Sequence, residues 1–331
     1  SREYVMQKML EDIDIAIANL PSERNVYRIT KWTAMALKSR FCLFEGTFRK
    51  YHNITAYENG ADYYLELAAE ISHKFITTSG YSIAKDAKDP SANYRKLFST
   101  MNATNTEVIL AKDFNAALDL VHNVGGAFNT ATNGRYGMTK KAVAAYLMKD
   151  GSRFTDKAGW ETMSFMDEVK DRDPRLEQSI ITPTYIRDEE TVTSPQNMAN
   201  TTTGYAPIKY FTGAEDDTYQ TSYVDMPIFR AAEVYLNYAE AANEVDGATS
   251  LVYELVNTIR RRAGQPELPA GLSQEQMRDK IRQERRIELC FENHRFWDVR
   301  RWMIAEEIDN GPVHRVTIDA EGNISYPVFQ N

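Results

Sequence analysis

The chain has 331 residues, 47 acidic against 39 basic side chains, and a formal net charge of −8, which argues against non-specific binding to nucleic acid or an anionic lipid surface. Its 43% hydrophobic and 26% charged content is that of a globular protein, long enough for one large domain or two. No run of about 18 apolar residues offers a membrane span.

Residues 2–20 read as an amphipathic helix closed by Pro21. A second helix is expected over 27–50, with Ala34, Leu37, Phe41 and Phe44 on its inner face and Gly46 permitting close approach. A third covers 56–76, with Ala61, Tyr64, Leu65, Ala68, Ala69 and Ile71 inward. Glu107–Leu110 is a short strand candidate. The stretch 122–137 is dense in Gly and Asn and reads as loop, after which helix returns at 139–148. From 151 to 226 periodicity is weak, with short strands expected at Ile180–Ile186 and Tyr205–Phe211. Two further helices follow at 228–244 and 248–263, the first with Ala231, Tyr235, Tyr238 and Ala242 on one face. Helix pairs with small residues at their crossings are similar to tetratricopeptide repeats, although no clean 34-residue period survives.

The segment from 273 onward is the most informative. Ser273 followed by Gln276 is a capping-box start. Met277, Ile281, Glu284, Glu288 and Phe291 then share a face. Two carboxylates on an apolar stripe require cations, and Arg282, Arg285, Arg286 and Arg295 are the nearest in sequence. Asn293 suits a left-handed turn. A short helix is expected to carry Phe296 and Val299 inward, with Trp297 and Arg301 stacked one turn apart. The tail, 316–328, reads as a hairpin around Glu321–Gly322–Asn323.

Little here points to covalent chemistry. Glu284 and Glu288 have the residue type of a general acid and base, but they stand among arginines, which hold carboxylates ionised. A structural ion network is the preferred reading, as it is for the pair Arg230 and Glu233 and for the cluster Arg172, Asp173 and Arg175. Glu215, Asp216 and Asp217 form an acidic loop without EF-hand spacing. The five histidines are scattered, and no HExxH, P-loop, GxGxxG or GxSxG motif occurs. No cofactor or metal is therefore expected. Cys42 and Cys290 sit in apolar helical patterns and read as buried free thiols.

The carboxyl-terminal pattern resembles the signature of the SusD/RagB family of outer-membrane nutrient-binding lipoproteins. Its carriers are Ile259–Arg260, Arg262–Ala263–Gly264, Glu284–Arg285–Arg286, Glu288–Leu289, Glu292, Arg295–Phe296–Trp297–Asp298 and Arg301–Trp302. Earlier matches are Asp12, Asp14, Ala16–Ile17 and Leu20–Pro21; then Arg28, Thr30–Lys31, Ala34, Ala36–Leu37, Arg40, Leu43 and Glu45–Gly46; then Asp150–Gly151 and Arg172–Asp173–Pro174–Arg175–Leu176; and Pro227, Arg230, Ala232–Glu233, Ala239–Glu240–Ala241 and Asn243–Glu244. Departures are Ile13 in place of Leu and Asn293 in place of Gly. The resemblance covers nearly the whole chain. Relative to the family, the chain is expected to lack an amino-terminal portion, with its signal and lipid-bearing cysteine, and the usual last segment.

That resemblance implies a mostly α, SusD-like fold: tetratricopeptide-like helix pairs packed with a loop-rich region and short β-hairpins. Within a single domain over 1–331, residues 1–110 hold tetratricopeptide-like helices, 111–226 the loop-rich ligand-binding region, and 227–331 the signature. It also implies a non-enzymatic, lipid-anchored protein on the outer cell surface. Such a protein binds oligosaccharide or polysaccharide and delivers it to a SusC-like TonB-dependent transporter. Peptide capture and, in a different class, glycan degradation remain the alternatives. The ligand-binding candidates are Phe128, Asn129, Asn133, Tyr136 and Trp160, because aromatic rings cover the apolar face of a sugar and amides meet its hydroxyl rim.

Overall fold

The computed structural model describes residues 1–85, 92–129, 135–183, 185–187, 190–191, 201–212, 220–309, 317–318, 324–325 and 327. In chain order its elements are α1 (Arg2–Asn19), α2 (Lys31–Tyr51), α3 (Ala61–Thr78), α4 (Asn93–Lys96), β1 (Val108–Lys112), α5 (Val124–Asn129), α6 (Lys140–Ala144) and α7 (Phe165–Glu168). There follow β2 (Ile186–Arg187), β3 (Glu190–Thr191), β4 (Met226–Arg230), α8 (Ala231–Asp246), α9 (Ser250–Arg262), α10 (Gln274–Glu288), α11 (Arg295–Arg301), α12 (Ala305–Asp309), β5 (Thr317–Ile318) and β6 (Ile324–Ser325). The fold is mostly helical, and the strands form three two-stranded antiparallel pairs.

The helices pack as α1 on α2, α2 on α3, α3 on α8, and α8 on both α9 and α10. One core cluster joins Trp32, Met35 and Ala36 of α2 and Phe75 of α3 to Ala232 and Leu236 of α8 and Ile259 of α9. Early and late parts of the chain therefore share their buried surface. At the α2–α3 crossing a Cβ on Gly46 would lie 2.8 Å from Leu65 Cγ, so glycine sets the approach of the two helices.

The inner face of α2 differs from expectation. Met35, Ala36, Ser39, Cys42, Leu43 and Gly46 are buried, whereas Leu37 is 41% exposed and Phe41 and Phe44 are half-buried. Ala34, expected inward, is buried as well; α3 and α8 cover the face carrying Met35, Cys42 and Leu43, and the stripe of Leu37, Phe41 and Phe44 is left on the outer side. The helix also begins at Lys31 rather than 27, after Thr30 in extended backbone, whose N–H donates to the Thr33 hydroxyl at 3.3 Å.

Three mid-chain expectations are corrected. The Gly- and Asn-rich stretch contains helix α5, where Val124 N–H donates to His122 Nδ1 (3.2 Å) and Ala127 N–H to Asn123 O (2.8 Å); these local anchors override the poor helix propensity of Gly125 and Gly126. Helix α6 stops at Ala144, where Arg172 takes the carbonyls of Val143 and Tyr146, both at 2.7 Å. Of the strands expected at Ile180–Ile186 and Tyr205–Phe211, the described residues form a bridge between Ile180 and Pro207, with β2 beginning at Ile186. The strand near Glu107 does form, as β1, and pairs with β4, which occupies residues expected to begin a helix. The terminal hairpin forms through β5 and β6; its turn, Glu321–Gly322–Asn323, lies outside the described residues.

The capping box is present. Ser273 Oγ accepts from Gln276 N–H (3.2 Å), and Gln276 Oε1 accepts from Ser273 N–H (2.9 Å). Helix α10 ends at Glu288; Phe291 (φ 60°) and Asn293 (φ 64°) then adopt left-handed backbone, so Phe291 leaves the helical stripe. In α11 Val299 is buried, but Phe296 points outward at 57% exposure. Arg301 lies over Trp302 at 4.6 Å, while Trp297 meets Phe44 edge-on at 6.2 Å.

Candidate ligand-binding face

The terminal carboxylates hold the frame on which the face is mounted. Glu284 accepts from Arg175 (2.6 Å) and Arg260 (3.0 Å). Glu288 accepts from Arg175 (2.9 Å), Arg230 (2.6 Å) and Arg262. Arg230 reaches on to Glu107 (2.8 Å) and Glu292 (2.6 Å). These cations come from distant segments, not from the arginines beside the carboxylates. Neighbours at i±1 and i±2 on a helix face other directions. Arg285 turns to Asp298 (2.9 Å) and Asn237 (2.7 Å), Arg282 lies between the rings of Tyr51 and Trp302, and Arg286 donates to Lys141 O (3.2 Å).

Arg230 and Glu233 likewise do not meet; Glu233 is bound by Arg40 through two 2.6 Å contacts. Arg230 precedes the helix in extended backbone, which turns its side chain toward Glu107 and Glu288.

Burial alone pushes the Glu288 carboxyl up, but Arg262, Arg230 and Arg175 together hold it well below the usual carboxylate range. Its side chain is 0% exposed, and that of Glu284 is 1%. A general acid needs a proton near neutral pH and a path to substrate. Glu288 has neither, so the lattice is architectural.

The end of α10 also positions an aromatic side chain. Left-handed Phe291 brings its ring 6.0 Å from that of Phe128 on α5, and Phe128 meets Tyr136 edge-on at 5.8 Å and 86°. Phe128 also packs against the cluster of Tyr185, Ile208 and Phe211. Tyr136 is 54% exposed, so the outer ring of this pair faces solvent. The backbone beside it is fixed: Thr202 N–H donates to Arg135 O (3.0 Å) and Met138 N–H to Tyr205 O (2.9 Å). A Cβ on Gly137 would fall 1.9 Å from Thr203 Oγ1, so the 135–138 segment lies hard against Thr201–Thr203.

Of the sequence candidates, Phe128 and Tyr136 come together, and Asn129 closes the same helix. Asn133 lies outside the described residues, as do Glu215, Asp216 and Asp217. Trp160 packs elsewhere, edge-on to Phe154 at 6.1 Å over a cluster with Ala144 and Met148. Phe291 and Tyr185 join the aromatic group unannounced by the sequence, because a left-handed turn and a tertiary approach bring them there. Arg95 lies 5.0 Å over Tyr185 and donates to its hydroxyl at 3.2 Å.

Two cavities lie away from this face. One, of about 420 Å³, runs between Ala84–Lys85 and the 93–105 segment. The other, of about 300 Å³, lies between α2 and α11 and includes Phe41, Phe44, His294 and Trp297. Among the described residues no group of three or more His, Cys, Asp or Glu is placed to hold a metal, and no helix is long and apolar enough to cross a membrane. Both cysteines are free; Cys42 is buried, which pushes its thiol up to about 12.

Residues 81–331 match the model of the SusD family. SusD-like protein P2 of Formosa agariphila is 34% identical over 117 residues, 33% of this chain and 23% of that protein. A SusD-like protein of Bacteroides fragilis superposes with a TM-score of 0.74 over 97% of this chain and 64% of its own, at 26% identity. A SusD-like carbohydrate binding protein of the same organism gives 0.73 over 99% of this chain and 66% of its own, at 23% identity. A structure solved with a xylogluco-oligosaccharide shares the fold, with a TM-score of 0.69 over 98% of this chain and 66% of that one, at 18% identity. The chain thus spans about two thirds of the length of these solved relatives. With the family pattern running from residue 81 to 331 on the matching fold, the chain belongs to the SusD family.

Proposed function

We propose that this protein captures oligosaccharide at the outer cell surface and delivers it, chemically intact, to a SusC-like TonB-dependent transporter. Tyr136 is the stacking platform and Phe128 backs it. The observation that carries the reading is the half-exposed Tyr136 ring held edge-on by a Phe128 that is itself fixed against Phe291. A planar ring on a braced support is what a sugar face needs. Two solved relatives support it, one described as carbohydrate binding and one carrying a xylogluco-oligosaccharide. Lipid anchoring, surface location and the transporter partner rest on membership of the family.

A hydrolase reading is disfavoured, because the acidic pair with the right residue types is enclosed by guanidinium groups. A glycan array on the full-length protein, followed by calorimetry with the best oligosaccharide, tests the proposal. Reversible binding without release of reducing ends is expected. Accumulating reducing ends, or binding of peptides with no glycan bound, would overturn it.

A further inference from the structure

The cavity of about 300 Å³ between α2 and α11 shares no lining residue with the aromatic group around Phe128. Trp297 forms part of its wall. The indole is half-exposed, and Phe44 at 6.2 Å and Phe296 at 5.1 Å brace it at steep angles.

The floor is polar, and its charges cancel. Arg40 is held by Glu233 through two 2.6 Å contacts, Arg285 by Asp298 at 2.9 Å, and Arg301 by Glu240 at 2.7 Å and Asp298 at 2.9 Å. Three guanidinium groups thus meet three carboxylates. Some N–H groups are left over. Arg285 is only 3% exposed; its Nε and Nη1 donate to Asp298 and Asn237, and its Nη2 has no acceptor among the described residues. Arg40 uses Nε and Nη2, on Glu233 and on Ile228 O, and keeps Nη1. His294 Nε2 stands 3.9 Å from Glu233, beyond hydrogen-bond reach. Burial lowers the His294 imidazole, so at pH 7 it is neutral, with one donor and one acceptor. All three side chains line the cavity.

A buried cationic N–H without an acceptor is costly, and an oxygen of a ligand in the cavity supplies the partner. A carboxylate would bring an unmatched charge to a floor that is already neutral. An apolar side chain would leave the N–H groups unmet. A sugar hydroxyl or ring oxygen meets them without adding charge, and an open indole suits the apolar face of the ring. The volume is at the small end of ligand pockets, enough for one sugar unit rather than a chain. We propose that this cavity is a second saccharide site, in which one neutral pyranose lies against Trp297 with its oxygens on Arg40, Arg285 and His294. The ligand class rests on the proposed carbohydrate function; the placement of the site does not.

Fluorine NMR on the full-length protein labelled with 5-fluorotryptophan tests this, with Trp297→Phe assigning the Trp297 signal. Methyl glycosides of glucose, galactose, mannose and xylose, then glucuronate and N-acetylphenylalanine amide, are titrated in turn. At least one neutral glycoside is expected to shift the Trp297 signal saturably. Tyr136→Ala should leave that shift intact, which separates this site from the aromatic group around Phe128. In the Tyr136→Ala background, Trp297→Ala should keep the circular dichroism spectrum and weaken binding of that glycoside about tenfold, the scale of a lost stacking anchor. A Trp297 signal that no neutral glycoside moves would overturn the proposal, as would undiminished affinity in Trp297→Ala. So would loss of the shift in Tyr136→Ala, or tighter binding of glucuronate or of the phenylalanine amide than of every neutral glycoside.

Discussion

Arg175 and Glu284 stand 109 positions apart in sequence and meet at 2.6 Å, each side chain only 1% exposed. Through Glu288 the same guanidinium is linked to Arg230 and Arg262, so a mid-chain turn, the entrance to α8 and the end of α9 converge on one helix. Ions removed from water this thoroughly are stable only as a complete set.

Removing one member should therefore be severe. Glu288→Ala leaves three guanidinium groups facing a void, and a loss of about 3–5 kcal/mol is expected in urea unfolding at pH 7. Glu288→Gln keeps the shape and an acceptor oxygen and should cost less. A loss below about 1 kcal/mol for the alanine variant, the scale of a surface pair, would remove the lattice from its structural role.

The α2–α3 crossing makes an opposite demand on two glycines. Gly46→Ala places a methyl 2.8 Å from Leu65 Cγ and 2.9 Å from its backbone nitrogen. Overpacking of about 1–3 kcal/mol should outweigh the roughly 1 kcal/mol gain in helix propensity. Gly60, before α3, has nothing within 4 Å of an added Cβ and ordinary negative φ, so Gly60→Ala is the matched control and should be close to neutral. Thermal unfolding of both variants checks the contrast.

Acid should unfold the molecule through its paired carboxylates. Burial pushes Glu233 up, but Arg40 and then His294 bring it down to about 2. Glu244, despite burial, is brought to about 2 by Arg278 and Lys50. A carboxyl depressed in the folded state stabilises it above the unfolded value of roughly 4.3, and that contribution fades as pH falls toward 2. For Glu233 the contribution is on the order of 3 kcal/mol. Unfolding free energy should begin to decline below about pH 6.5, where burial makes His122 and His294 resist protonation, and fall further between 4.5 and 2, with a shallower fall over that lower range in Glu233→Gln. An identical slope in that variant would assign the acid sensitivity to other groups.

What the sequence discloses is local. The Ser273–Gln276 box, the left-handed Asn293 and the bounds of α1 are settled by residues within a few positions of one another, whereas α2 and α3 begin four or five residues later than their apolar spacing suggests. The partners of Glu284 and Glu288 are not, because charge pairing is decided by which segments α10 faces. The outward stripe of Leu37, Phe41 and Phe44 has the same origin: apolar spacing marks two faces of α2, and only the fit of α3 against Gly46 selects between them. In the aromatic group, sequence composition marks Phe128 and Tyr136, but Phe291 enters through a turn written at the far end of a different helix.

That shared support separates stability from recognition in the aromatic group. Tyr136 is exposed and braces nothing larger than the edge of Phe128, so Tyr136→Ala should leave the melting temperature unchanged. Oligosaccharide affinity in that variant should fall by about 1–3 kcal/mol, the scale of a stacking anchor. Phe128 also fills space between Phe291 and the cluster of Ile208 and Phe211, so Phe128→Ala should weaken binding and lower stability together. Trp160 sits on Phe154 in another cluster, and Trp160→Ala should cost stability with little change in affinity. Calorimetry and thermal unfolding on the three variants would give one pattern for each ring. If Trp160→Ala alone abolished binding, the ligand would have to sit over α6 and the Trp160 turn rather than beside α5.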